Sequence, residues 1–517
     1  VFTAVGLCCR SIAGSPEQVK QQFDSVMSQL DKGGDTLVVM NIDGLLDNAM
    51  GFIQNIAAAQ AEHDSEAATA QAVIDRLRVF LNTNGLGAAR AIGMSTVPRA
   101  DGMTTLKMVV SRDTAAADLP LWRGMFGGAP RKLDSVGFVP EDAAVLSVRT
   151  VDVAAFWKML RAGINQVAPP VTAAEFNKGL DQFCTKNTIN LDQVMASLGD
   201  EIAFSVQLSK VNKIALPAAN GKMTQMPEPS VLVVLKLKDN TLPAMIESQL
   251  MKNEIPVVEQ EVNGVKIRSV NLPIPAPFLI QPSYAVYKQY LVGGSSAKVV
   301  TDALAAFGNG KGFTASTEFK KAFAGLPMVN NGIGYVSPRY MQMIMEMMNS
   351  AGGHGEEKAV KEIMQALMGG QNGFSEAYVV MNQKNGILCQ GVTSMSGRKM
   401  LASMTFAPVL GMGSAIAMPA FAKARTTARM NACINNLRMI DAAKDQWAME
   451  NNAKNGDEVK EDDIKGYLRG NAMPVCPQGG QYTIGTLGEN PECSMHPNGL
   501  ARPVMKMQAP PAMPVEE

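Results

Sequence analysis

The side chains with the most chemical range in this 517-residue chain are seven cysteines and three histidines. Cys476 and Cys493 bracket a glycine-rich, strand-like stretch, GGQYTIGTLGENPEC. A disulfide closing so short a loop is expected in an oxidising compartment. No zinc site is expected, because there is no CxxC pair and His496 is the only imidazole nearby. Cys433 falls in the same C-terminal region. Cys184 and Cys389 read as single buried thiols, the usual fate of an isolated cysteine. Cys8-Cys9 does not make a lipoprotein box, since Leu7 stands where a small residue is wanted.

Three carboxylates recur in one setting. Asp43, Asp152 and Asp239 each end a β-rich run and precede a helical pattern. That position suits an N-cap, where a carboxylate accepts from orphan amides and complements the helix dipole. As general acids or bases they lack a partner histidine or a clustered second acid. Gly308-Asn-Gly-Lys-Gly-Phe-Thr314 lacks phosphate-loop spacing and reads as a turn. Gly293-Gly-Ser-Ser296 could offer amides to an anion, but turn and N-cap duty is the expectation. No GxSxG, HExxH or EF-hand pattern is present. The chain is therefore expected not to be an enzyme, with no catalytic, cofactor-binding or metal residues and no cofactor.

Charge agrees with that reading. Lys plus Arg and Asp plus Glu both total 47, so the chain lacks the basic surface of a general nucleic-acid binder. At 46% hydrophobic it can bury a substantial core.

These residues need elements to hold them. Val1 to Cys9 is apolar and Ser11-Ile12-Ala13 follows, which reads as the tail of an export signal over residues 1–14. A strand-then-helix grammar begins at Asp35, Asp142 and Ser230, with a weaker copy at Asn331. Between the copies lie antiparallel-looking strands, and Lys384-Asn385-Gly386 is a hairpin signal. The expected fold class is α+β, with mixed, largely antiparallel sheets and helices in two related halves, 15–210 and 211–396. The methionine run Met341 to Met348 lies on a helix and is expected in the core. Exposed, it would suit a soluble periplasmic carrier of an apolar ligand, the alternative function.

Four stretches resemble a bacterial envelope-associated family known only as a domain of unknown function. They are Pro140 to Val148, Leu198 to Val206, Val231 to Asp239 and Phe313 to Pro327. The resemblance implies an exported or envelope-facing α+β domain and brings no catalytic residue with it.

Residues 397–499 read differently. Met400 to Phe421 is an uncharged run long enough to span a bilayer, although Pro408 and many small residues weaken it. A long helix follows, about Ala417 to Asn451, with Met430, Ile434, Leu437, Ile440 and Trp447 along one face and a charged back. A second short helix and a small strand-bearing head complete the region, and 500–517 reads as a disordered tail.

This region resembles a type II secretion pseudopilin or type IV pilin. The carrying residues are Gly411, Ala415 to Arg425, Asn431 to Lys444, Trp447, Cys476 to Gly485, and Cys493. Aligning the family proline on Pro419 puts Gly397 at the leader glycine and Ala402 where the assembly glutamate belongs, so no prepilin cleavage is expected. One spanning helix would leave the head in the cytoplasm, whereas a disulfide-bearing head belongs outside. A non-spanning or peripheral segment, with both parts outside the cytoplasm, is therefore expected. The expected protein is a non-enzymatic envelope component: a binding or scaffold domain fused to a pseudopilin-like module. Its expected partners are secretion or pilus-type components and the membrane, through Met400 to Phe421, with no nucleic acid.

Overall fold

The computed structural model describes residues 15–61, 65–217, 223–271, 281–350, 375–400, 430, 432–468, 471–476 and 480–495. The chain forms two compact units, Val1–Ser403 and Met404–Glu517. The export-signal stretch, most of the apolar run after Met400 and the tail lie outside the described residues.

The first unit is built on one antiparallel sheet of thirteen described strands. The first six are β1 (Thr36–Asn41), β2 (Ala89–Pro98), β3 (Thr104–Arg112), β4 (Ala143–Thr150), β5 (Leu198–Pro217) and β6 (Met223–Leu237). Then come β7 (Val257–Val262), β8 (Val265–Val270), β9 (Ser283–Tyr287) and β10 (Tyr290–Gly294). The last three are β11 (Gly332–Val336), β12 (Glu376–Gln383) and β13 (Gly386–Thr393). Their order across the sheet is β1-β2-β3-β13-β12-β11-β4-β5-β6-β10-β9-β8-β7. Strands β11 to β13 thus insert between β3 and β4, which are neighbours in sequence. The boundary expected at 210/211 falls inside β5, which pairs with β6, so the two halves share one sheet.

Helix α1 (Pro16–Met27) opens with a capping box between Ser15 and Gln18 and buries Val26 and the following Leu30 against β2, β3 and β13. The strand-then-helix grammar is observed in all four places. Strand β1 leads to α2 (Leu45–Ala61) and α3 (Ser65–Thr83). After α4 (Pro120–Phe126), β4 leads to α5 (Val153–Val167), α6 (Pro170–Asn187) and α7 (Leu191–Ser197). Strand β6 leads to α8 (Thr241–Lys252). After α9 (Ala297–Asn309) and α10 (Thr317–Ala322), β11 leads to α11 (Pro338–Ser350).

Alternation along the strands gives the sheet two apolar faces. Leu146, Val148, Leu232, Val234, Val292 and Ile333 pack with Phe138, Phe313 and α9 on one side. Leu235, Leu237, Tyr284 and Leu291 pack with α8 on the other. Ser296 caps α9 and Ser316 caps α10, while Gly310 ends α9 in the left-handed conformation. The glycine-rich stretch 308–314 is accordingly a helix stop.

The hairpin at residues 383–386 departs from the expected turn. Gln383 pairs with Gly386, so Lys384 and Asn385 form the loop and Gly386 opens β13 at φ 154°. A Cβ on Gly386 would lie 2.2 Å from the Val110 carbonyl oxygen of β3. Glycine is required there by the neighbouring strand as well as by the turn.

The outer strands differ chemically. On β7, Glu259 pairs with Lys266 and Arg268 of β8. Strand β1, Thr-Leu-Val-Val-Met-Asn, carries no charge and exposes Leu37, Val38 and Met40.

A buried polar knot fixes the inserted strands. Asn331, which immediately precedes β11, donates its amide nitrogen to the carbonyls of Phe126 (3.0 Å) and Gly128 (2.9 Å) and to Thr150 Oγ1 (3.0 Å). Its amide oxygen accepts from the Asn382 backbone (2.7 Å). Asn382 in turn donates to Gly127 (2.8 Å) and accepts from Arg112 Nη2 (2.6 Å). Asn331→Ala strands several of these groups and is expected to cost about 3 kcal/mol, because each buried polar group left unpaired costs about 1–3 kcal/mol. Urea unfolding should show this loss, while Asn253→Ala, at an exposed helix end, should leave the midpoint nearly unchanged. A loss below about 1 kcal/mol for Asn331→Ala would contradict the role assigned to the knot.

Candidate functional site

The second unit places its chemistry on a helix. Residues 432–451 form α12, followed by the short α13 (Glu461–Ile464) and the strand pair β14 (Tyr482–Thr483) and β15 (Glu492–Cys493). Tyr482 pairs with Cys493 and Thr483 with Glu492. The buried stripe of α12 is Cys433, Leu437, Ile440 and Lys444, with Ala443 beside it. Steps of four, three and four keep these residues on one helical face. The stripe is rotated from the expected one. Met430 is exposed and Ile434 only half-buried, whereas Cys433 and Lys444 lie inside.

Three cysteine sulfurs meet under the head. Cys476 Sγ lies 3.8 Å from Cys433 Sγ and 3.7 Å from Cys493 Sγ. All three thiols are buried, and their sulfurs lie within 4.8 Å of one another. They are the only group of three or more His, Cys, Asp or Glu side chains so placed among the described residues. Cys476 and Cys493, the pair expected to form a disulfide, are therefore neighbours. Their separation is not that of a disulfide, which is about 2.05 Å, and Cys433 joins them as a third thiol. His496 lies outside the described residues.

Around the sulfurs the site is apolar, with Leu437 and the Tyr482 ring packed on them. Burial pushes the Cys433 thiol up to about 11. Tyr482 donates its hydroxyl to Cys433 Sγ at 3.6 Å and accepts from Asn436 Nδ2 at 3.0 Å. Burial raises the Tyr482 hydroxyl well above its ordinary value, so it stays a donor. Gly480 lets the backbone close over the site, because a Cβ there would lie 2.7 Å from Cys493 Sγ.

Further down α12, Lys444 is 1% exposed. Its ammonium donates to the carbonyls of Ile484 (2.9 Å), Thr486 (2.8 Å) and Glu489 (2.6 Å). A buried charge is tolerated only when its donors are occupied. These three acceptors match the three protons of an ammonium and tie one loop of the head to the helix. Below it Ile440, Val459, Ile464, Leu468 and Leu487 form a small core.

The first unit disposes of the other sequence candidates. Asp152 caps α5, accepting from the Ala155 amide at 3.0 Å. Asp239 accepts from the Thr241 amide at 2.8 Å, one residue ahead of the capping position. Asp43 points instead at Arg90 Nη1 (2.7 Å), and the same guanidinium pairs with Asp113. These groups line a cavity of about 860 Å³ together with Leu45, Asn82 and Leu119. Arg90 pairs with both acids there. Cys184 and Cys389 are half-buried, less enclosed than expected. Burial pushes the Cys389 thiol up to about 11. Met343 is buried against Ile214 and Met226, and Met341 is buried too, so the described start of the methionine run serves the core. Gly397 is buried, and a Cβ there would lie 1.9 Å from Thr96 Oγ1. The position aligned with a leader glycine is thus packed against the edge of the sheet.

A family model for a protein of unknown function, DUF3352, matches residues 120–397. The chain belongs to the DUF3352 family. The DUF3352 region takes in β4 to β13 and ends at Gly397. Strands β1 to β3 precede it, yet β3 pairs with β13 inside it. No curated protein and no solved structure matches the chain.

The Lys444 cradle makes a direct prediction. Lys444→Met should release the 484–489 loop at a cost of about 2 kcal/mol, since three carbonyls lose their donor. Hydrogen exchange should then be roughly thirtyfold faster at the Leu487 amide, which donates to Asp457. Unchanged exchange there would mean that the loop is held by other contacts.

Proposed function

We propose that this DUF3352 protein is a non-enzymatic bacterial envelope component. In this reading its sheet unit serves as a binding or scaffold domain. The second unit is a pseudopilin-like module acting with type II secretion or type IV pilus-type machinery. The observation that carries the reading is the build of the second unit. A single helix buries one stripe under a small head, and the head closes on it through Cys476, Tyr482 and Cys493 in the order the pilin resemblance implies.

Two further features support it. The head unit is compact in its own right, as a module added to another domain should be. Gly397 is packed within the sheet unit, which fits a pilin-like segment carried without leader processing. Among the described residues no helix is long and apolar enough to cross a membrane. Any membrane contact through Met400 to Phe421 is part of the proposal. The carrier alternative depended on an open methionine surface, and the inward packing of Met341 and Met343 weakens it.

Fractionation of cells expressing the full chain, beside a chain lacking 401–421, tests the proposal. The full chain is expected in the envelope fraction and to crosslink there to secretion or pilus-type components. The shortened chain is expected to lose the membrane association and keep its fold. Recovery of both chains in the cytoplasmic fraction would refute the assignment.

A further inference from the structure

We propose that Cys433, Cys476 and Cys493 form a three-thiolate binding site for a thiophilic divalent metal ion of the zinc class. The inference concerns chemistry inside the second unit and does not rest on the secretion reading.

Distance carries the argument. Zinc binds thiolate sulfur at about 2.3 Å, so two sulfurs of a tetrahedral site lie about 3.8 Å apart. The two shortest separations here are 3.7 and 3.8 Å. The remaining pair also lies within 4.8 Å. Cys476 is nearly equidistant from its two neighbours. A structural disulfide would single out one pair and leave a buried thiol beside it. A metal uses all three, and one tetrahedral position remains for a fourth donor.

The surroundings fit the charge that metal binding creates. One divalent ion displaces three thiol protons and leaves a complex of net charge −1. The Tyr482 hydroxyl already points at Cys433 Sγ, and Asn436 fixes its orientation. Such outer hydrogen bonds stabilise coordinated ligands and set their direction. The apolar wall of Leu437 and the Tyr482 ring keeps competing water away.

The fold supplies a reason for such a site. The ligands come from α12, from the stretch before residue 477 and from β15, three pieces separated in sequence. The core beneath them is small. Domains of this size commonly need a disulfide or a metal to close them. A metal here would pin both ends of the head to the same turn of the helix.

The test uses the full-length protein, purified under reducing conditions and stripped with chelator. Native mass spectrometry with added zinc should show one bound ion per chain. Cobalt in its place should give the intense thiolate-to-metal charge-transfer and visible bands of a tetrahedral site. Cys476→Ser should abolish both signals, while Cys184→Ser should leave them unchanged. Tyr482→Phe keeps the ligands and the packing, so it guards against misfolding as the cause, and should weaken zinc binding about tenfold. The proposal fails if the reduced wild type binds no zinc. It also fails if zinc is retained when all three cysteines are serine. Recovery of unreduced, native-source protein with a Cys476–Cys493 disulfide and no metal would likewise overturn it.

Discussion

The sheet of the first unit depends on the pairing of β11 with β4. Strand β4 has β5 on one side, and on the other it waits for a strand more than 180 residues later in the chain, Ile333 opposite Val148. Until that contact forms, β1 to β3 are cut off from the rest, because β3 meets the sheet only through β13. Asn331 stands where the insertion begins, and its side chain reads both sides. It holds the 126–128 loop and Thr150 with its nitrogen and β12 with its oxygen. A polar side chain suits this place because its bonds are directional. An apolar one would fill the space without fixing register. The cost is a long chain closure before the reward, which makes such a topology slow to fold.

The second unit solves a different problem. Its described core is small, and its parts are joined by specific contacts along one helical stripe. Leu437 and Ile440 supply the packing, while Cys433 and Lys444, at either end, supply the attachments. Each attachment gathers groups from distant stretches of the head. Shape here is held by a few polar and sulfur contacts, so single changes on the stripe should matter more than in the large sheet.

Much of the fold was legible in the sequence. The four strand-then-helix units follow from β-branched runs ending near a cap, and all four appear. The caps themselves were partly legible. Asp152 caps α5 through one oxygen while Arg123 takes the other, whereas Asp43 is drawn to Arg90 from β2. That contact spans 47 positions, and no local pattern announces it. The sharing of one sheet across position 210/211 was not legible for the same reason, since strand order is a long-range property. In the head, the pair Cys476 and Cys493 was visible from its short loop. Cys433 lay in plain sight, but steps of three along the helix rotated the expected face away from it. Counting four, three, four from Leu437 and Ile440 would have brought in both Cys433 and Lys444. Lysine is a poor advertisement for burial, because its three acceptors are backbone carbonyls that any sequence possesses.

The unlike edges of the sheet carry a consequence for how copies of this protein can meet. Strand β7 is fringed by Glu259 with Lys266 and Arg268, and a second sheet laid against it would strip water from those charges. Strand β1 has no such guard. Growth by sheet extension would need one edge of each copy to accept the other edge of the next, and β7 blocks that chain of joins. What remains is β1 against β1. In an antiparallel sheet such a join would be two-fold and would use up the uncharged edge of the described sheet on both partners. The asymmetry of the described strands would thus act as a stop signal: edge-on association through them would end at two copies instead of running on into a fibre.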